Sequence, residues 1–209
     1  MAANDPCGLT SLEMISSLEI TAWSAERSPH PQVIALPGEG LAYPNELPYD
    51  RDPDGILWTR MTLQRGHGRP EFGRVHPGRQ RRAMRKLLCQ VCGGPADRTK
   101  DGVLWLLNDA RGDWPRWPEG LAATHPPVCR PCARASTRLC PHLRGGSVAV
   151  RVKDFRVRGV YGTLYRRTGS RLHSTGSAIA ASYESRARWI LAAQMVRVLA
   201  DCTFVSLDH

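Results

Sequence analysis

The residues best suited to chemistry are four cysteines in two C-x-x-C pairs, Cys89 with Cys92 and Cys129 with Cys132, separated by 36 residues. Structural zinc sites take about four thiolate or imidazole ligands in a tetrahedron. The turn within each pair lets two sulfurs converge on one ion. This spacing predicts a structural Zn²⁺ site with these four cysteines as its ligands.

The residues around each pair favour the same interpretation. Gly93 and Gly94 follow the first pair and supply backbone that adopts positive φ at little cost. Pro131 lies inside the second pair, as in the first turn of a helix. The second pair is therefore expected at a helix N-terminus, where backbone N–H groups and the helix dipole favour thiolates.

Two other interpretations of the four thiolates stay open: an iron–sulfur cluster, and reduced cysteines that bind nothing. A disulfide framework is disfavoured because the chain has seven cysteines, an odd number, and is expected in a reducing compartment. Cys140 and His142, together with His125, could form a second metal site. The alternative is a buried cysteine beside capping or surface histidines.

The elements that must position these residues indicate an α+β fold. The segment 79–88 has good helix formers and runs directly into Cys89, and 103–107 has the apolar composition of a buried strand. A treble-clef-like zinc-binding unit would occupy the centre of the chain. The elements expected are helices at 79–88 and 131–139, and strands at 33–36, 55–63 and 103–107.

The last third of the chain predicts a β-hairpin followed by a long amphipathic helix. The hairpin would turn at Lys153–Asp154, and another strand would follow at 159–165. Ser182–Asp201 has a capping serine, and its apolar residues fall on one helical stripe. The chain is accordingly divided into a loop-rich segment at 1–54, a zinc-binding unit with a basic helix at 55–145, and the hairpin with its helix at 146–209.

A knuckle, a strand, a loop and a helix bearing the second cysteine pair resemble the treble-clef zinc finger over Cys89–Cys140. That family includes the HNH-type nucleases, in which a His ends the strand between the pairs and a further His on the helix binds the catalytic metal. Here the strand ends in Asn108 and Asp109 with no adjacent His, and Ala133 follows the second pair. The resemblance implies the scaffold without the catalytic residues.

Other catalytic signatures are also missing from the sequence. It has no G-x-x-x-x-G-K-[ST], G-x-S-x-G or H-E-x-x-H motif. We therefore expect no catalytic site. A divergent nuclease or other hydrolase that uses His125 or His142 is kept as a third hypothesis.

Basic residues are concentrated in two segments and suggest an acidic partner. Arg60–Lys86 has nine basic residues against one acidic residue, Glu71. A basic helix and an alternating strand can neutralise phosphates and release their counterions. The predicted nucleic-acid contacts are Arg79, Arg81, Arg82, Arg85 and Lys86 in the helix, and Arg151, Lys153, Arg156 and Arg158 in the hairpin, with Arg166 and Arg167 after them.

The composition bounds these interpretations. The net charge of +10 fits a nucleic-acid partner, but lysine occurs only at Lys86, Lys100 and Lys153, so the excess arginine could instead reflect a GC-rich bacterial genome. No run reaches the roughly 18 apolar residues that span a bilayer, and the N-terminus lacks the features of a secretory signal. We expect a cytoplasmic protein with no membrane partner.

Three functions follow, in decreasing order of preference. The first is a zinc-stabilised nucleic-acid-binding protein with a regulatory role. The second is a protein–protein interaction module on a zinc scaffold. The third is the divergent hydrolase. The sequence does not choose between DNA and RNA, and it does not fix the oligomeric state or the sequence specificity.

Overall fold

The structure is a computed structural model that describes residues 18–29 and 32–207. The described chain forms two compact units, each built from segments that are discontinuous in sequence. Unit 1 comprises residues 18–21, 82–156 and 197–207, and unit 2 comprises 22–29, 32–81 and 157–196. The division of the chain at residues 54 and 145 stays a prediction.

Helices and strands both occur in the described residues, which confirms an α+β fold. Two α-helices and ten β-strands are present there. In chain order they are β1 (Thr21–Trp23), β2 (Ile34–Leu36), β3 (Gly40–Ala42), β4 (Pro70–Val75), α1 (Pro77–Lys86), β5 (Arg98–Thr99), β6 (Gly102–Asn108), β7 (Ala122–Ala123), α2 (Arg130–Leu139), β8 (Ser147–Thr168), β9 (Arg171–Ala181) and β10 (Ile190–Val205). Short 3-10 helices lie at Pro141–Leu143 and Ser185–Trp189.

In unit 1 the strand β6 is buried on both faces. It pairs antiparallel with β8, so that Trp105 lies opposite Val150, and β5 pairs with its other edge. Successive side chains of a strand point to opposite faces. Leu104 and Leu106 therefore pack with the cysteines and α2 on one face. Val103, Trp105 and Leu107 pack on the other face. This explains the uninterrupted apolar run in the sequence.

Unit 2 holds the second half of β8. Leu41, Tyr43, Leu57 and Leu191 form an apolar cluster there. The strand β9 pairs antiparallel with β8 from Gly159 to Thr168, and a two-residue turn at 169–170 joins the two strands. β2 pairs with β3 in a separate hairpin.

The prediction of a hairpin turn at Lys153–Asp154 is wrong. β8 runs without a break from Ser147 to Thr168, and the turn lies at Gly169 instead. Two-residue hairpin turns require positive φ at the first central residue, which glycine adopts readily. Gly169 has a φ of 60°, whereas neither Lys153 nor Asp154 has a positive φ.

The prediction of a long helix at Ser182–Asp201 is also wrong. A 3-10 helix at Ser185–Trp189 leads into β10, which lies between β8 and β7 in the sheet. Both faces of β10 are largely buried from Ile190 to Leu199. A nearly continuous apolar run cannot be assigned to helix or strand by its periodicity, and pairing with neighbouring strands overrides helix propensity.

The remaining predicted elements are mostly confirmed. Helices are observed at Pro77–Lys86 and Arg130–Leu139, and strands at Ile34–Leu36 and Gly102–Asn108. Residues 55–63 form isolated bridges through Leu57 and Trp58 rather than a strand. Among the described residues, neither helix is long and apolar enough to cross a membrane.

Candidate metal centre and basic surfaces

The four predicted cysteine ligands come together in unit 1. Their sulfur atoms all lie within 4.8 Å of one another, and the Sγ atoms of Cys92 and Cys129 are 3.8 Å apart. Four sulfurs that each lie about 2.3 Å from a tetrahedral zinc ion are about 3.8 Å from one another. The cluster therefore has the dimensions of a four-thiolate metal site. It is the one group of three or more potential metal ligands among residues 18–29 and 32–207.

The first pair lies in a tight knuckle. The N–H of Cys89 donates to the carbonyl of Gly94 at 2.7 Å, and the N–H of Gly93 donates to the carbonyl of Cys89 at 2.9 Å. Gly93 has a φ of 74°, and a Cβ there would lie 3.0 Å from Cδ of Glu19. The positive φ thus favours glycine at this position, and a side chain there would also displace that of Glu19.

The second pair lies at the start of α2, as predicted. Cys129 caps the helix with extended backbone, at φ −83° and ψ 154°, and its carbonyl accepts from the N–H of Ala133 at 2.9 Å. Pro131 occupies the first turn, where a missing N–H costs nothing. The sulfur of Cys132 then projects from that first turn, toward the end of the helix that favours negative charge.

Backbone hydrogen bonds hold the two pairs together. The N–H of Gln90, in the knuckle, donates to the carbonyl of Pro127 at 3.0 Å. One residue on, Val128 donates to the carbonyl of Leu104 in β6 at 2.9 Å. Cys89 and Cys132 are fully buried in the apolar cluster beneath. The scaffold therefore fixes the sulfurs through backbone contacts on each side of the centre.

The electrostatics of the cluster favour a bound cation. The neighbouring Cys129 and Cys89 sulfurs hold the pKa of Cys132 well above its ordinary value. Four thiolates this close repel one another unless a positive charge lies between them. A divalent ion supplies that charge and holds the coordinating thiols deprotonated. The donor set thus fits Zn²⁺.

The assignment of the centre rests on this geometry. Comparisons with protein-family models, with curated proteins and with solved structures find no match. What the cluster establishes is a four-cysteine site of metal-binding dimensions. The treble-clef relationship stays an interpretation of the sequence.

The other predicted metal and catalytic residues do not join the cluster or form a second one within the described chain. Cys140 ends α2, and His142 lies exposed in the following 3-10 helix. His125 is exposed, and its carbonyl accepts from the indole of Trp105 at 3.1 Å. The carboxylate of Asp109 is paired with Arg111 at 2.5 Å, which holds the pKa of Asp109 below its ordinary value.

Two of the arginines predicted to contact nucleic acid are buried and ion-paired. Arg79 donates from both terminal nitrogens to the carboxylate of Glu26, at 2.6 and 2.7 Å. Arg151 pairs with Asp97, and its side chain is 4% exposed. Neither guanidinium is available to a phosphate, so both have a structural role. Their acidic partners are more than fifty residues away in sequence and could not be recognised from it.

Three more of the predicted arginines have partners close to them in the structure. The guanidinium carbon of Arg81 lies 4.6 Å from the centre of the Trp58 ring. Nη1 of Arg82 lies 3.7 Å from Oε1 of Glu19, and Nη2 of Arg156 lies 3.0 Å from Oδ2 of Asp154. Arg82 and Arg156 are exposed. The predicted cations that are exposed and make no ion pair with any described residue are Arg85, Lys86, Lys153, Arg158, Arg166 and Arg167.

Unit 1 contains three of these cations, and in that unit Arg197 joins the helix and the strand that carry them. Its guanidinium donates to the carbonyl of Met84 in α1 at 2.7 Å and to the carbonyl of Phe155 in β8. The last turn of α1 is therefore adjacent to the middle of β8. Arg85, Lys86 and Lys153 each lie within two residues of one of these carbonyls, and we name the three together the cationic patch.

Sequence reasoning missed two further basic residues, Arg171 and His173 in β9. The register places Arg171 opposite Thr168, and His173 opposite Arg166. The available signal was Gly169-Ser170 between two short runs of β-prone and basic residues, which is typical of a two-residue hairpin turn. The prediction of a turn at 153–154 left this second turn signal without an assigned hairpin.

Proposed function

We propose that the chain is a zinc-stabilised nucleic-acid-binding protein in which the cationic patch contacts phosphates. Cys89, Cys92, Cys129 and Cys132 would hold Zn²⁺. The observation that carries the proposal is the cationic patch itself: three exposed cations, unpaired within the described chain, on two adjacent elements of the unit that contains the cysteine cluster.

Zinc is preferred to an iron–sulfur cluster because the spacing of the four sulfurs fits one small ion rather than a cluster of several metal ions. The Cys92–Cys129 separation of 3.8 Å equals the edge expected around one zinc. The order of a knuckle, the β5–β6 hairpin and a helix bearing the second pair supports the treble-clef interpretation. Bound iron would be visible as a coloured preparation, and bound zinc would not.

Phosphate binding by the cationic patch follows from counterion release. Each phosphate contact with duplex DNA lowers the slope of log K against log salt by about 0.9, so three contacts contribute about 2.7. At about 0.1 M salt, the same relation makes each contact worth roughly eightfold in affinity. The guanidinium groups of Arg79 and Arg151 lose their hydration when the chain folds. The three cations of the patch stay exposed in the folded chain and do not incur this desolvation cost.

The test is binding of labelled duplex DNA, single-stranded DNA and RNA across a salt series. The variant Arg85→Gln/Lys86→Gln/Lys153→Gln should lose two or three contacts, and its salt slope should become shallower accordingly. The matched control removes the same charge from exposed arginines that are already ion-paired, through Arg74→Gln, Arg111→Gln and Arg186→Gln.

The two variants give a clear decision. We expect the control to keep the affinity and the slope of the unaltered chain, because local carboxylates already neutralise its three arginines. Equal losses in both variants would mean that net charge alone attracts the nucleic acid, and the patch would then have no specific role. Absence of binding by the unaltered chain at low salt would overturn the proposed function.

A further inference from the structure

The outer end of the β8–β9 hairpin presents a basic face to solvent. Arg166 pairs with His173 and Thr168 pairs with Arg171, and all four residues are exposed. Residues directly opposite in an antiparallel pair lie on the same face, and alternate residues share that face. Two strands thus place these side chains together.

The opposite face of the same ribbon is anchored to unit 2. Tyr165 and Leu172, each adjacent in sequence to a residue of the basic face, pack against the core formed by Leu41, Tyr43, Leu57 and Leu191. The ribbon is therefore supported from behind while its basic face points outward. Gly169 closes the turn with a φ of 60°, so the two strands remain paired to the last residues.

No acidic residue neutralises this hairpin along the chain. From Phe155 to Tyr183 the sequence has five arginines and no aspartate or glutamate. Arg166 and Arg171 make no ion pair with any residue that the structure describes. Two arginines and a histidine on one face, with no carboxylate paired to the arginines among the described residues, are complementary in charge to a polyanion.

We propose that this ribbon lies in the major groove of duplex DNA, with Arg166, Arg171 and His173 toward the nucleic acid. The inference rests on the proposed function and names its substrate. The major groove of B-form DNA is about 12 Å wide and admits a two-stranded β-ribbon, whose strands are about 4.8 Å apart. The major groove of A-form RNA is too deep and narrow for side chains to read.

The experiment compares duplex DNA with duplex RNA of the same sequence and uses two groove-binding dyes. Methyl green occupies the major groove and should displace the unaltered chain, whereas netropsin, in the minor groove, should not. The variant Arg166→Gln/Arg171→Gln should lose about 60-fold in DNA affinity at about 0.1 M salt, and its slope should be shallower by about 1.8.

Two controls isolate the ribbon. Arg74→Gln/Arg186→Gln removes the same charge from ion-paired arginines of unit 2 and should bind like the unaltered chain. Arg166→Lys/Arg171→Lys keeps the charge and should keep the slope. All variants should share the unfolding temperature of the unaltered chain, because the altered side chains are exposed.

The outcomes separate this inference from the proposed function. If the chain binds nucleic acid but Arg166→Gln/Arg171→Gln binds DNA as tightly as before, the ribbon is not the contact and the patch proposal is untouched. Equal affinity for the DNA and RNA duplexes, or displacement by netropsin alone, would also overturn the major-groove placement. If the unaltered chain binds no nucleic acid, both proposals fail.

Discussion

Replacing Glu26 by glutamine should remove a pH-dependent part of the stability of unit 2. The carboxylate is fully buried and accepts from Arg79 at 2.6 and 2.7 Å and from the N–H of Trp23 at 2.8 Å. Burial acts to raise the pKa of Glu26, but the hydrogen bonds from Arg79 and Trp23 outweigh it and lower the pKa from 4.5 to about 2. The charged form is therefore stabilised in the folded state.

The size and the sign of the effect follow from linkage. A fall in the pKa of Glu26 from 4.5 to about 2 corresponds to about 3 kcal/mol in the free energy of unfolding, because one pKa unit is worth about 1.4 kcal/mol. Because the folded pKa is the lower one, this stability is fully present above pH 4.5 and is lost as the pH falls toward 2. Burial lowers the pKa of His76 from its ordinary value of 6.5. The stability that His76 contributes is therefore present above about pH 6.5 and declines below it.

The assay is urea unfolding, followed by circular dichroism, of the unaltered chain and of Glu26→Gln at several pH values. At pH 7 the variant should be less stable by about 3–5 kcal/mol, because a buried guanidinium is left without its carboxylate. The difference between the two proteins should shrink by about 3 kcal/mol between pH 5 and pH 2. Taking this difference cancels the contribution of the cysteine thiols. The contribution of His76 does not cancel, because its Nε2 lies 3.8 Å from Oε1 of Glu26 and the substitution removes a charge that raises the pKa of His76.

The control replaces both partners, as Glu26→Gln/Arg79→Met. It should recover much of the stability lost in the single variant, since no unpaired charge is then buried. A difference between the unaltered chain and Glu26→Gln that stays constant from pH 7 to pH 2 would refute the assignment of a depressed pKa to Glu26.

Two further predictions concern the metal centre. Purified chain should contain one zinc ion. Cys132→Ser or a strong chelator should lower the unfolding temperature sharply, whereas Cys140→Ser should keep the metal. Metal-free chain that unfolds at the same temperature as the untreated protein would contradict the site. Gly93→Ala should cost about 1–2 kcal/mol, measured by thermal unfolding, because an alanine would have to adopt a φ of 74°. Gly94→Ala is its control, since a Cβ there would make an ordinary contact of 3.5 Å with the sulfur of Cys92; equal losses would contradict the reasoning.

The sequence predicted the local features that depend on neighbouring residues. The spacing of the cysteines, Pro131 within the second pair and the good helix formers of α1 each act over one or two turns, and the structure has a cysteine cluster and two helices where they were expected. β6 was also predicted, because burial on both faces leaves a continuous apolar run that is too short for a helix.

The features that depend on distant pairing could not be predicted. β10 contains residues that also suit a helix, and its neighbours β8 and β7 decide its conformation. The same limit applies to charge. Arg79 and Arg151 lie among other basic residues in the sequence, yet both are buried in the structure, where they form ion pairs with Glu26 and Asp97. A count of local charge therefore overestimates the surface that is open to a phosphate.

The position of the cationic patch ties its proposed function to the metal. β6 packs on the cysteine cluster through Leu104 and Leu106, and its pairing with β8 places Leu104 opposite Arg151, two residues before Lys153. The other two cations of the patch end α1, which leads directly into the knuckle at Cys89. Both elements that carry the patch are thus held by the scaffold around the four sulfurs. A zinc ion held there would support the proposed phosphate contact indirectly, because it would stabilise the knuckle that follows α1 and the face of β6 that packs on the cysteines.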